Sequence, residues 1–171
     1  FTVALLPLGV AMIVASSAQA VPFWSEPFNY SDGGLPAVSG GNWAFYSGTG
    51  TQIQVVGGEA VVNNANGLVF DTRPFPLQGP TAKTYACLRV KISAPAGGAA
   101  PVSSYFACFQ DASPWYTARV FVRPVVGDPT KFVFGLGAIG SITIVEWATP
   151  LDFGIYYTIA TMYDTATGNA T

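Results

Sequence analysis

Between Thr84 and Leu136, apolar and polar side chains alternate with a period of two in four short runs. These runs read TYACLRVKI, SSYFACFQ, TARVFVRP and KFVFGLG, and turn-forming residues separate them. Alternation of this kind predicts an antiparallel meander of half-buried strands. Ala86, Leu88, Val90, Tyr105, Ala107 and Phe109 fall on one apolar face, expected to be core. Tyr85, Cys87, Arg89, Lys91, Phe106, Cys108 and Gln110 fall on the other. If Thr84–Ile92 and Ser103–Gln110 form a hairpin through the connection Ser93–Val102, Ile92 lies opposite Ser103 and Cys87 opposite Cys108. Two readings of the cysteines are then open: a cross-strand disulfide, or two small apolar residues in a packed face.

The pattern extends along the rest of the chain. Phe28 and Tyr30 suggest a first strand, followed by the turn Ser31-Asp32-Gly33-Gly34. Trp43 and Phe45 alternate with Ala44 and Tyr46. Gln52–Val56 and Glu59–Asn63 flank Gly57-Gly58, a strong hairpin signal. Leu68–Thr72 reads as a strand stopped by Pro74 and Pro76, and ITIVEWAT and IYYTIATMYD as two more. Strand signals every ~8–12 residues, without an amphipathic helix, predict an all-β fold. The expected architecture is an antiparallel two-sheet β-sandwich forming one domain over residues 21–171. The chain stops in ATGNAT, as another hairpin turn opens, so the last strands are expected to be missing and the domain incomplete.

Composition narrows the setting. Of 171 residues, 50% are hydrophobic, 14% aromatic and 9% charged, against roughly 25% charged in an ordinary soluble domain. Few charges with many aromatics and turns suit an extracellular all-β protein. Seven Lys+Arg and a formal net charge of -2 exclude a nucleic-acid footprint. Residues 1–20 read as a secretory signal peptide: an apolar run from Val3 to Ala15, then Ser16, Ser17 and the small-residue end Ala18-Gln19-Ala20. No initiator Met or basic segment precedes Phe1, so the start is read as clipped. The mature protein is expected to be exported, secreted or on the bacterial cell surface, and not membrane-spanning after signal cleavage.

Candidate chemistry is sparse. With no histidine, Ser-His-Asp and Cys-His mechanisms are excluded. Glycoside hydrolysis needs two flanking carboxylates, yet Glu26, Glu59 and Glu146 fall in three different segments. Asp32, Asp111, Asp128 and Asp152 lie at turns; they are possible calcium ligands without an EF-hand spacing, or residues that stabilise their own loops. No catalytic residue, resident metal or other cofactor is assigned. One polar-aromatic group remains. Arg119 and Arg123 share a strand face that can continue the face of Arg89, with Trp115 and Tyr116 at its end. Aromatic rings stack on sugar faces while guanidinium groups hold carboxylate or sulfate, so Arg89, Arg119, Arg123, Trp115 and Tyr116 form a candidate ligand site. The alternative is a solvated outer face.

Several pieces of the chain resemble a known family. EPFNYSDGGLPAVSGGNWAFYSGTGTQIQVVGGEAVV, FDTRPF, YFACFQDASPWYTARVFVRP and YDTATG, in this order, are similar to concanavalin A-like lectin/glucanase (laminin G-like) jelly-roll domains of bacterial exported, PEP-CTERM-type proteins. The resemblance spans most of Glu26 to Thr171 and implies a two-sheet jelly roll with further strands after Tyr163–Gly168. It also implies carbohydrate or matrix polysaccharide as partner. The alternating glutamates and aspartate of the glucanase branch are missing here, so a non-enzymatic, carbohydrate-binding role in an extracellular matrix is expected. Two alternatives stay open: a structural or adhesion module without a small ligand, and a fragment of a glycan-active enzyme.

Overall fold

The computed structural model describes residues 22–23, 25–48, 53–63, 69–98, 103–110, 116–137 and 144–171. The expected signal peptide, Asp111 and Trp115 lie outside the described residues. The described chain is built mainly of antiparallel strands, as the period-two pattern requires. Among the described residues no helix is long and apolar enough to cross a membrane.

In chain order the elements are β1 (Gly33–Gly34), α1 (Leu35–Val38), β2 (Ala44–Gly48), β3 (Gln54–Val56), β4 (Glu59–Val61) and β5 (Val69–Thr72). Then come β6 (Lys83–Lys91), β7 (Ser104–Gln110), β8 (Tyr116–Val125), β9 (Asp128–Gly137), β10 (Ile144–Glu146), β11 (Leu151–Asp152), β12 (Tyr156–Asp164) and β13 (Asn169–Ala170). The β3–β4 hairpin turns at Gly57 (φ 59°) and Gly58 (φ 79°). Two successive left-handed residues are what a two-residue hairpin loop demands, and glycine adopts them without Cβ strain.

The first expected strand is replaced by a side-chain knot. Glu26, with 5% of its side chain exposed, accepts hydrogen bonds from the Phe28 N–H, the Tyr30 hydroxyl and Trp43 Nε1, each at 2.9 Å, and pairs with Arg73. Phe28 takes a left-handed φ of 53°, and its carbonyl accepts the Tyr30 N–H at 2.7 Å. A carboxylate offering several lone pairs thus outcompetes a sheet ladder for these backbone groups. Burial pushes the Glu26 carboxyl up, but the three donors and the Arg73 charge together carry it below its ordinary value.

A second correction concerns β6. It does not pair with β7. It pairs antiparallel with β12, from Lys91 opposite Tyr156 to Lys83 opposite Asp164. The meander is β7–β8–β9–β10, with β11 also on β9. The connection after β6 is long and contains Pro95, Gly97 and Gly98, so it does not impose a tight hairpin, and lengthening a loop costs little. In β12, β6 meets a strand of equal length whose inward residues Tyr157, Ile159 and Thr161 match Val90, Leu88 and Ala86. Cys87 consequently lies opposite Ala160, and Cys87 and Cys108 are both free thiols on different sheets.

The inner face of β6–β12 packs on one face of the meander. The Tyr157 ring lies 6.0 Å from Phe132 and 6.1 Å from Phe134, both edge-on. The opposite face of the meander meets the β2–β5 ribbon through Phe70, whose ring stacks on Tyr105 at 5.6 Å and on Tyr116 at 5.1 Å. The deepest apolar residues of the meander are Ala118, Val120, Phe121, Phe132 and Val133. The residues expected as core on β6 and β7 (Leu88, Val90, Tyr105, Ala107 and Phe109) are only half-buried. The core is centred on β8 and β9 because both of their faces are covered, whereas β6 keeps one face in solvent.

Candidate functional site

Of the five residues expected to form one ligand site, four are described: Arg119 and Arg123 share one face of β8, whereas Arg89 stands on a different sheet. Arg89 is on the outer face of β6, with its guanidinium 4.2 Å from the centroid of the Tyr156 ring. Lys91 lies over the same ring at 4.7 Å and 3.7 Å from Glu59, whose carboxylate also accepts the Tyr156 hydroxyl. Arg119, on β8, sits within the aromatic layer, 5.6 Å from the Tyr105 centroid and 5.5 Å from Phe121. Tyr116 is packed among Phe70, Tyr105 and Tyr46. Tyr116 thereby helps build the junction with the β2–β5 ribbon. Trp115 lies outside the described residues. Of the four described residues, Arg123 lines a polar pocket.

That pocket, about 320 Å³ in volume, is walled by Arg123, Pro124, Val133, Glu146, Trp147 and Pro150 among others. Its polar wall is an ion pair. Arg123 Nε donates to Glu146 Oε1 at 2.9 Å, and Arg123 Nη1 donates to Ser103 Oγ at 3.1 Å. The pair spans three strands: Arg123 stands on β8 opposite Val133 of β9, and Glu146 stands on β10 opposite Gly135 of β9. A Cβ on Gly135 would lie 2.5 Å from Ile144 Cγ2 and 3.4 Å from Arg123 Cγ. The absence of a side chain at Gly135 therefore lets β10 approach and lets Arg123 cross β9 to reach Glu146.

Trp147 lines the same pocket and also borders a groove beside β12. Its N–H donates to the Phe134 carbonyl at 2.8 Å, which extends the β10–β9 ladder by one step and fixes the backbone that carries the ring. The ring itself is 65% exposed. A large aromatic held on ordered backbone yet left in water, beside a partly exposed ion pair, is the arrangement of a polar-ligand subsite rather than of a core. The pocket stands at the small end of the roughly 300–1,000 Å³ typical of ligand sites. Arg123 and Glu146 offer donors and acceptors to hydroxyl groups, and Trp147 offers a flat apolar face.

Sequence reasoning included Arg123 but missed Trp147, and it gave Glu146 no role. The adjacency of a tryptophan to the one glutamate inside a strong strand was the available signal. The described turn aspartates have partners: Asp128 accepts the Thr130 N–H of its own turn at 2.9 Å, while Asp32 accepts the Gly57 N–H at 2.8 Å and Asp152 pairs with Lys131. Among the described residues no three His, Cys, Asp or Glu side chains are grouped to hold a metal ion. Comparison of the chain with protein-family models, curated proteins and solved structures returns no match.

Proposed function

We propose that this chain is a secreted or cell-surface β-sandwich of non-catalytic character that binds carbohydrate, with the Arg123–Glu146–Trp147 pocket as the sugar subsite. The observation that carries the reading is the juxtaposition of an exposed, backbone-anchored Trp147 with a part-exposed Arg123–Glu146 pair in one pocket. A pyranose ring places its apolar C–H face on the indole while its hydroxyls exchange hydrogen bonds with the guanidinium and the carboxylate. Of the carboxylates, only Glu146 lines the pocket among the described residues. Cleavage of a glycosidic bond requires two carboxyl groups, which supports a binding role. The antiparallel sheets packed face to face support the concanavalin A-like resemblance at the level of class, and an extracellular polysaccharide matrix is the setting it suggests.

A glycan array probed with the chain tests this. Binding to at least one class of glycan is expected, with loss of signal in Trp147→Ala and Arg123→Ala. An array without binding, or variants that bind like the parent, sinks the assignment.

A further inference from the structure

The Arg123–Glu146 pair sets the charge that a ligand meets in the pocket. Among the described residues that line it, Arg123 is the only cation and Glu146 the only anion, and every other lining residue is apolar. Neither Arg89 nor Arg119 is among them. The pair is also only partly satisfied. Arg123 Nε donates to Glu146 Oε1 at 2.9 Å, and Arg123 Nη1 to Ser103 Oγ at 3.1 Å. Among the described residues Arg123 Nη2 and Glu146 Oε2 have no hydrogen-bond partner, and both side chains keep part of their surface in water. A ligand therefore meets one donor and one acceptor, carried on two groups already in contact.

That combination discriminates between ligands. A hydroxyl both donates and accepts, whereas an ionised carboxylate or sulfate only accepts. Two hydroxyls on neighbouring ring carbons can serve the pair together: one oxygen accepts from Arg123 Nη2 while the other donates to Glu146 Oε2. An acidic group that takes the Arg123 donor brings its charge against Glu146 and has no proton for Oε2. Its attraction to the guanidinium is offset by repulsion from the carboxylate, so Glu146 is the rejecting element. The arrangement is built into the sheet, because Arg123 reaches β10 across the space that Gly135 leaves open.

We propose, resting on the carbohydrate reading above, that the pocket selects neutral sugars with free hydroxyls on adjacent ring carbons and rejects uronates and sulfated sugars. From the residues alone Arg123 was expected to hold carboxylate or sulfate; Glu146 at 2.9 Å reverses that preference. Linkage matters for the same reason. A (1→6)-linked glucan keeps adjacent free hydroxyls on every residue, whereas the interior residues of a (1→3)-linked glucan have none.

The probe is a glycan array of neutral and acidic ligands that includes two matched pairs. One pair is (1→6)- and (1→3)-linked glucan oligosaccharides of equal length; the other is (1→4)-linked galacturonan oligosaccharides as methyl esters and as free acids. The glycans bound by the chain are expected to be neutral and to carry adjacent free hydroxyls. In whichever pair binds, the first member is expected to bind at least tenfold more tightly than the second. Periodate, which cleaves the bond between adjacent hydroxyl-bearing carbons, followed by borohydride reduction, is expected to weaken every bound glycan at least tenfold. Glu146→Gln keeps the shape and removes the charge, so it is expected to shrink the preference for neutral over acidic ligands at least tenfold. Acidic ligands bound as tightly as neutral ones, binding that survives periodate, or a Glu146→Gln protein with the parent's preference overturns the proposal and leaves the carbohydrate reading standing. No binding to any glycan overturns both.

Discussion

Replacing Glu26 tests how the amino-terminal part of the fold is held. The carboxylate is 95% buried (100 − 5% exposed) and is the common acceptor for Phe28, Tyr30, Trp43 and Arg73. In Glu26→Ala these donors remain while the acceptor is gone, and the Arg73 guanidinium, 19% exposed, loses this ion pair. Breaking a buried pair by removing one partner costs about 3–5 kcal/mol. A domain of this kind has about 5–15 kcal/mol in total, so a large share of the stability is at stake. At roughly 2–4 °C per kcal/mol for a chain of this size, the thermal midpoint falls by about 6–20 °C. Glu26→Gln keeps one acceptor oxygen and turns an amide donor toward the others, so about 1–3 kcal/mol is expected. Urea denaturation followed by tryptophan fluorescence measures both. A shift below about 1 kcal/mol for Glu26→Ala would refute the view that the four donors depend on this acceptor.

The same residue predicts a pH dependence with a definite sign. The folded carboxyl titrates below its ordinary value, and the unfolded one at about 4.3. A depressed folded value means that Glu26 stabilises the fold fully above the unfolded value. That contribution is lost as the pH falls through the folded value. Acid unfolding of Glu26→Gln should therefore show a shallower slope below about pH 4.3 than the parent. Parallel slopes would contradict the assignment.

Two other outcomes follow from the geometry of the meander. Gly135→Ala places a methyl 2.5 Å from Ile144 Cγ2; a loss of about 1–3 kcal/mol in unfolding free energy, read by urea denaturation, is expected, together with weaker glycan binding as β10 and Glu146 move away from Arg123. Burial pushes the Cys108 thiol up to about 11, whereas Cys87 is exposed, so iodoacetamide at pH 8 should modify one thiol quickly and the second only on unfolding; mass spectrometry without reductant checks this, and a chain that takes no label even when unfolded would contain a disulfide.

What could be read from the residues was local. The Gly57-Gly58 hairpin, the strand stopped at Pro74 and the alternation in β6, β8 and β9 are written in neighbouring side chains. Strand partnership was not. A period of two says which side chains share a face but not which strand lies alongside, and β12 is some seventy residues from β6 in sequence. The disulfide, one of two readings left open for Cys87 and Cys108, depended on a β6–β7 hairpin that does not form, and both are free thiols. Phe28 and Tyr30 looked like a strand because the competitor for their backbone, the Glu26 carboxylate, shows itself only once Trp43 and Arg73 converge on it. The separation of Arg89 from Arg119 and Arg123 has the same origin: equal parity within strands puts residues on one face only if the strands belong to one sheet, and Arg119 and Arg123, both on β8, do share a face. Arg123 reaches the pocket through the space over Gly135, and the sequence alone gives no sign that this glycine opposes Glu146.

The most direct test of the carbohydrate reading is affinity electrophoresis in native gels cast with a soluble β-glucan, a polyuronate or a sulfated dextran, comparing the chain with Trp147→Ala. The account predicts retardation of the parent by at least one of these polymers. It also predicts that Trp147→Ala, with an unchanged thermal midpoint, runs as in a gel without polysaccharide. Equal retardation of both proteins, or free migration of the parent in all three gels, would contradict it.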